Sequence, residues 1–323
     1  MGEKKEKTET NLTANLLLII EQSTAGSPTD AEVKWTDLRP QKIAQMYKEA
    51  YGVSLSNQTV KRILAEAGYR RRRPSKALAT GKSPYRAAQF RLIFYFAALF
   101  AEMEHNPIIS VDTKKKERLG SLDRGGQVLC KEAPQVFDHD YPGLSEGKVI
   151  PHGIYDMKEN KGYVTIGTSN ETAEFIGDNL IWWWEQEGMH LYPEATHILL
   201  FCDGGGANGY RHYAFKKKLI QVAEYIGVRI VVVHYPPYCS KWNPIEHRLF
   251  SQMHHQAKGC LFTSYEQVKQ IYEGTHTKTG LTVMVRISHK EYKLKLGIKK
   301  EQVNYNKILT HSKLPQFNYT VVP

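Results

Sequence analysis

Cysteine is scarce in this 323-residue chain: Cys130, Cys202, Cys239 and Cys260 lie far apart, and no two form a CxxC pair. That scarcity argues against a disulfide scaffold and a thiolate zinc site, and it fits a reducing, cytoplasmic setting. Long apolar runs are missing as well. The longest, Leu92–Ala101, spans ten residues between Arg91 and Glu102, about half of the ~20 that a spanning helix needs. Leu16–Ile20 is shorter still, with no small-residue cleavage site behind it, and Glu6 stands where a myristoylation signal wants Ser or Thr. No membrane role is expected. Acid is the minority charge, with 33 Asp and Glu against 44 Lys and Arg, a net +11. A chain this basic usually meets a polyanion, nucleic acid being the commonest. The remaining composition, 41% hydrophobic and 24% charged, is ordinary for globular domains and excludes wholesale disorder.

The positive charge is concentrated. Between Lys61 and Arg91 stand ten Lys or Arg and a single acid, Glu66, a net +9 in 31 residues. Just before it, residues 41–51 predict a short helix with Ile43 and Tyr47 one turn apart and Gly52 as its stop. Ser56 is placed to cap a second helix whose apolar residues Val60, Ile63, Leu64 and Ala67 follow helical spacing, with Gly68 ending it. Two short helices joined by a tight Gly-bearing link predict a helix-turn-helix. In that motif the second helix enters the major groove N-terminus first, so Asn57, Gln58, Thr59, Lys61 and Arg62 are expected to face DNA. Arg70, Arg71, Arg72 and Arg73 form a basic arm suited to phosphates or a minor groove. Residues 74–83 read as a linker, followed by a largely apolar helix from Ser83 and Pro84 to about Met103.

Beyond it, strands and helices alternate. IISVD (108–112) predicts a strand with residues 117–122 as its hairpin partner, and residues 123–148 predict a loop insertion. A hairpin is expected around Glu159–Gly162, a helix over Glu171–Glu187, buried strands at 196–203 and 228–235 with a helix over 210–226 between them, and a last helix from Asn243 to Lys258. Three antiparallel strands followed by helix-strand-helix-strand-helix give an α/β domain with a mixed central sheet.

Three carboxylates fall where such a sheet does chemistry. Asp112 ends the first strand, Asp203 ends a later buried strand before Gly204–Gly206, and Glu246 lies in the first turn of the last helix. Carboxyl ends of neighbouring strands converge on one edge, where ligands bind. Three acids gathered there repel one another unless a cation lies between them. Oxygen-only ligands select Mg²⁺ or Mn²⁺, and two such ions can act together at one phosphate. Each acid also has a plain role: Asp as a strand-end turn residue, and Asn243-Pro244-Ile245-Glu246 as a capping box. Lys114 and Lys115 follow Asp112 and can neutralise DNA near the metals. Arg248, two residues past Glu246, can contact the DNA backbone. Asp156 is the first substitute should Glu246 prove only a cap.

ISVDTKKKERLG, FCDGGGANGYR, HYPPYCSKWNPIEHRLF and THTKTGL resemble the ISAzo-type, or Rhodopirellula-type, insertion-sequence transposases, from about Gly26 past Thr279. WNPIE also resembles the final-acid motif of mariner-like transposases. The resemblance implies a ribonuclease-H-like DDE catalytic domain with Asp112, Asp203 and Glu246 as the triad, spaced 91 and 43 residues apart. It implies a DNA transposase that cuts transposon ends and joins the freed 3′-OH to target DNA by two-metal transesterification, using Mg²⁺ or Mn²⁺. Double-stranded DNA and a homodimer or larger synaptic assembly are the implied partners, and a prokaryotic, nucleoid-associated location follows. A non-catalytic DNA-binding regulator and a nuclease without strand transfer are the alternatives. The expected organisation is a tail and short helix over 1–30, an all-helical helix-turn-helix domain with its arm and linker over 31–82, the catalytic domain over 83–262, and its C-terminal extension over 263–323.

Overall fold

A computed structural model describes residues 2–21, 25–27, 30–36, 38–70, 83–139, 141–294 and 297–323. The chain divides into two compact units, Met1–Leu78 and Ala79–Pro323.

In the first unit, α1 (Gly2–Glu21) is followed by a two-stranded antiparallel hairpin, β1 (Ala25–Ser27) and β2 (Asp30–Trp35), then α2 (Pro40–Tyr51) and α3 (Asn57–Glu66). Gly52 stops α2 in the left-handed conformation at φ 68°, its N–H donating to the Lys48 carbonyl. Such a φ costs glycine little and other residues more. Ser56 Oγ accepts from the Thr59 N–H at 3.0 Å, capping α3 as its position in the sequence suggests. Ile43, Tyr47, Val60 and Ile63 form the core of the two helices, while Ala67, beyond the end of α3, is exposed. Two features depart from the expected layout. α1 is long, and its Leu16, Ile19 and Ile20, spaced as one helical stripe, join this same core. The hairpin also makes the unit more than all-helical.

The second unit is built on a nine-stranded sheet. Its elements are α4 (Arg86–Glu102), β3 (Ile108–Thr113), β4 (Glu117–Leu119), β5 (Gly147–Asp156), β6 (Lys161–Gly167), α5 (Ala173–Trp183), α6 (Met189–Leu191), β7 (His197–Cys202), α7 (Tyr213–Ile226), β8 (Arg229–His234), α8 (Ser251–Gln256), α9 (Tyr265–Glu273), β9 (Thr282–Ser288), β10 (Ile308–Thr310) and β11 (Asn318–Val321). The spatial order is β10-β11-β8-β7-β3-β5-β6-β9, with β4 paired to β5. β3, β7 and β8 run parallel, and β5 and β6 continue antiparallel from the other side of β3. This is the mixed α/β sheet that the strand and helix order of the sequence predicts. The central strands are covered on both faces, which is why ILLFC and IVVVH are unbroken buried runs rather than alternating ones.

Several expectations shift. β4 pairs with β5, Glu117 opposite Val149, and so is not a hairpin partner of β3. α4 begins at Arg86 without a side-chain cap, and it buries Ile93, Phe96 and Phe100 while Phe94, Tyr95 and Leu99 remain exposed, so only one face is covered. The helix after residue 171 starts at Ala173, capped by Thr172, and passes through a π-helical turn at Trp184–Gly188. Trp183 and Trp184 are core, and Trp182 lies half-buried beneath the Arg286 guanidinium, 4.5 Å from its ring centroid. Residues after 263 are woven into the sheet at both edges: β9 runs parallel to β6, and β11 pairs antiparallel with β8.

Candidate active site

Asp112 and Asp203 are brought together by the parallel pairing of β3 and β7. Val111 registers with Cys202, so the next residue on each strand is an aspartate, and both lie at the C-terminal edge of the sheet. Glu246 arrives from the segment after β8 and is fixed by a buried stitch. The Ser110 hydroxyl donates to Asn243 Oδ1 at 2.6 Å and accepts from the Ile245 N–H at 3.1 Å, while Asn243 Nδ2 donates to the Val111 carbonyl at 3.1 Å. The Asn243 side chain thus grips β3 beside Asp112 instead of capping its own helix, as the capping-box reading expects. Gly153, the cross-strand partner of Asp112, makes the approach possible. A Cβ there would stand 2.6 Å from the Phe250 ring and 2.9 Å from Ile245 Cδ1, so only glycine lets this segment lie on the sheet. Glu246 opens a π-helical turn, Glu246–Phe250, that leads into α8. Such turns recur at functional sites.

The electrostatics show mutual repulsion. Burial, then the charge of Asp203, then those of Glu246 and Glu171, push the Asp112 carboxyl from 3.8 up to about 8, against a 2.7 Å hydrogen bond from the Thr113 N–H. Asp203 is raised to about 6 by burial, Glu171 and Glu246. The Gly205 N–H reaches Asp203 Oδ1 at 3.3 Å, and the Asn208 amide, in the orientation that satisfies both its ends, donates to the same oxygen at 3.0 Å. The Asn208 backbone is in turn held by His234, whose Nε2 lies 3.0 Å from the Asn208 main-chain carbonyl oxygen. Burial also raises Glu246, opposed by His247 and Lys114.

Glu171, which the sequence reading places merely at a helix start, is a fourth acid within reach of this centre, and Asn208 is its main neutral polar group. Glu171 stands in no recognisable motif, whereas Asn208 lies within the FCDGGGANGYR run, five residues after Asp203, without being marked there as a polar partner. Both are brought in by turns, Glu171 by the β6–α5 connection and Asn208 by the loop after β7. The donor set is oxygen only and short of positive charge, which suits a hard divalent cation. Among the described residues, no three His, Cys, Asp or Glu side chains are drawn close enough to hold a metal ion as they stand.

The other candidates are distributed more widely. Lys114 is 8% exposed and bonded to Glu117 at 2.5 Å, which also holds Arg124 at 2.8 Å. Burial works to raise the Glu117 carboxyl, but Arg124 and Lys114 prevail and hold it at about 2. Lys114 is therefore a largely buried cation paired to Glu117, and it lines the same groove as Lys115. Lys115 is exposed and lines, with Glu117, Arg124, Glu246 and His254, an open groove of about 580 Å³. Arg248 is exposed, and its charge reaches Tyr155. Asp156 does not serve as a substitute acid. It registers with Ile109 at the far end of β3, is fully buried, and accepts from the Tyr192 hydroxyl at 3.0 Å and from the Lys158 and Glu159 N–H groups. In the first unit, Asn57, Gln58, Lys61 and Arg62 are exposed on α3, Thr59 is half-buried against Ser56, and Arg62 pairs with Glu66 at 3.0 Å. Arg70 turns back onto the Ala65 and Tyr69 carbonyls at 2.6 and 3.0 Å. Arg71, Arg72 and Arg73 lie outside the described residues. Among the described residues no helix is long and apolar enough to cross a membrane.

Comparison with solved structures finds a Mos1 transposase paired-end complex with left transposon end, 14% identical with a TM-score of 0.45 over 80% of this chain and 68% of that one. It also finds the catalytic domain of Mos1 mariner transposase, 12% identical with a TM-score of 0.39 over 60% of this chain and 81% of that one. No curated protein matches. Residues 15–323 match the family described as Rhodopirellula transposase DDE domain, and the chain belongs to that family.

Proposed function

We propose that this protein is an insertion-sequence DNA transposase in which Asp112, Asp203 and Glu246 are the catalytic acids. The observation that supports the proposal is the stitch from Ser110 to Asn243 and Ile245, which ties the segment bearing Glu246 to the strand that carries Asp112, next to the strand that leads into Asp203. Membership of the DDE family supports reading this edge of the sheet as the seat of the chemistry. The three carboxylates, with Glu171 nearby, would hold Mg²⁺ or Mn²⁺. When bound there, two such ions supply activation of the attacking oxygen and charge stabilisation at the leaving oxygen of a phosphodiester. The residues themselves supply no nucleophile. They concentrate negative charge at one edge of a rigid sheet, and Asn208 and the Gly205 N–H orient Asp203. Lys115 and the surrounding groove offer positive charge to a DNA strand, and the exposed face of α3, with Asn57, Gln58, Lys61 and Arg62, suits the major groove at the transposon end. Handling two ends together calls for a dimer or larger assembly.

The test is incubation with a labelled duplex carrying the element's own terminus, Mg²⁺ and a supercoiled target plasmid. Wild type is expected to release a 3′-OH and give joined product, with Asp203→Asn slower by at least ~10²-fold, the scale for losing charge stabilisation in a transition state. Binding without cleavage would favour a regulator, and cleavage without joining a nuclease.

A further inference from the structure

We infer that Glu171 is a fourth acid of this centre and that Lys116 is its resident counter-ion, displaced when a divalent cation enters among the carboxylates. The inference rests on the reading of Asp112, Asp203 and Glu246 given above. Lys116 Nζ lies 2.9 Å from Glu171 Oε2, with the lysine side chain 44% exposed and the glutamate 16%. The pair links the segment that leaves β3 after Asp112 to the turn that enters α5. The other glutamate oxygen, Oε1, faces the loop after Asp203: a Cβ on Gly206, which sits at φ 63°, would stand 3.3 Å from it. One carboxylate thus has an oxygen on the lysine and an oxygen on the Asp203 loop. Its charge is felt at both aspartates, and at Asp203 it acts ahead of Glu246.

Among the described residues, Asp112, Asp203 and Glu246 have no cation in ion-pair contact, so of the four acids Glu171 is the one that the protein itself holds in an ion pair, while His247 and Lys114 act on Glu246 only through space. A half-exposed lysine pair is weak. A doubly charged ion placed among four acids gains more from Glu171 than Lys116 does, and Lys116 has open solvent to retreat into. The two residues should therefore act on cation affinity with opposite signs. Removing Glu171 takes away attraction, and removing Lys116 takes away both a competitor and a repelling charge.

The experiment is calorimetric titration of Mn²⁺ into the full chain without DNA, for wild type, Asp203→Asn, Glu171→Gln and Lys116→Met, with circular dichroism confirming the fold of each. Glu171→Gln should weaken binding about tenfold, as loss of a group supporting a metal site does. Lys116→Met should tighten it about threefold, the scale of one screened charge. Adding Lys116→Met to Glu171→Gln should tighten binding by less than Lys116→Met tightens it in wild type, because only the repelling charge, and no longer the competition for Glu171, is then removed. If Asp203→Asn weakens Mn²⁺ binding while Glu171→Gln does not, or if Lys116→Met weakens it, the inference falls and the three-acid reading stands. If Asp203→Asn binds Mn²⁺ as wild type does, the centre itself is wrongly placed, and both fall.

Discussion

Asp112 should make the metal-free protein less stable as pH rises. In the folded chain its carboxyl keeps a proton up to about 8, whereas the ordinary value is 3.8. Between those limits the folded state binds more protons than the unfolded one, so unfolding releases a proton and raising the pH favours it. The contribution is fully present below the unfolded value and is lost as pH climbs through the folded one. At ~1.4 kcal/mol per unit, the interval is worth at most about 6 kcal/mol. Asp112→Asn mimics the protonated acid in size and removes the effect. In urea unfolding with EDTA present, the variant should be more stable than wild type by under ~2 kcal/mol at pH 5, and the gap should widen to several kcal/mol at pH 8. Mg²⁺ or Mn²⁺ at about a hundred times its dissociation constant should return ~2.7 kcal/mol to wild type at pH 8 and much less to the variant. A gap that stays constant from pH 5 to 8 would refute the account of Asp112 as a carboxylate crowded by Asp203, Glu246 and Glu171; the gap is the readout because the buried, neutral His152 and His234 make wild type itself gain stability as pH rises towards 6.5.

Three further outcomes are expected. Glu246→Gln should abolish strand cleavage by ~10²-fold or more while leaving the metal-free melting temperature unchanged or higher, because no capping box is formed here to lose; normal cleavage would leave Glu246 an ordinary helix residue. Ser110→Ala strips buried partners from the Ile245 N–H and Asn243 Oδ1 and should cost about 2–3 kcal/mol in urea unfolding, with activity at 20 °C falling further than in a surface control; a loss below ~0.5 kcal/mol would show that the stitch does not hold the site. Lys61→Ala should lower the slope of log K against log salt by about 0.9 if Lys61 meets a phosphate, whereas Arg70→Ala, whose guanidinium is spent on the Ala65 and Tyr69 carbonyls, should move the slope less.

The parts of the fold that were legible in the sequence are those set by local rules. Gly52 and Ser56 bracket the link between α2 and α3 because one tolerates a left-handed backbone and the other has a hydroxyl at the right offset. The runs ILLFC and IVVVH announce doubly covered strands. What was not legible depends on pairing across the chain. Nothing near Glu117 says that its partner is Val149 rather than a residue of β3. Nothing in the 60 or so residues after 263 says that β9 will extend one edge of the sheet and β10 and β11 the other. The α4 pattern is apolar almost all round, which predicts full burial, yet Phe94, Tyr95 and Leu99 are left uncovered.

The site divides the same way. Asp112 and Asp203 can be picked out because each follows a buried apolar strand, and a strand's C-terminal end is a place a sequence can mark. Glu246 can be picked out by its motif, but the reason it arrives there is not a cap. It is an amide on Asn243 reaching across to Ser110 and Val111, a contact between residues 132 and 133 positions apart. Glu171 carries no signal, since a glutamate before a helix is among the commonest residues there, and Asn208, although inside the FCDGGGANGYR run, looks like an ordinary asparagine of a glycine-rich turn. Lys114 shows the opposite failure. Three consecutive lysines look like a single basic patch, but strand geometry sends the first inward to Glu117, leaves the second exposed and pairs the third with Glu171. A run of like charge therefore carries at least two different roles here, and only the neighbours each ammonium meets decide which one it has.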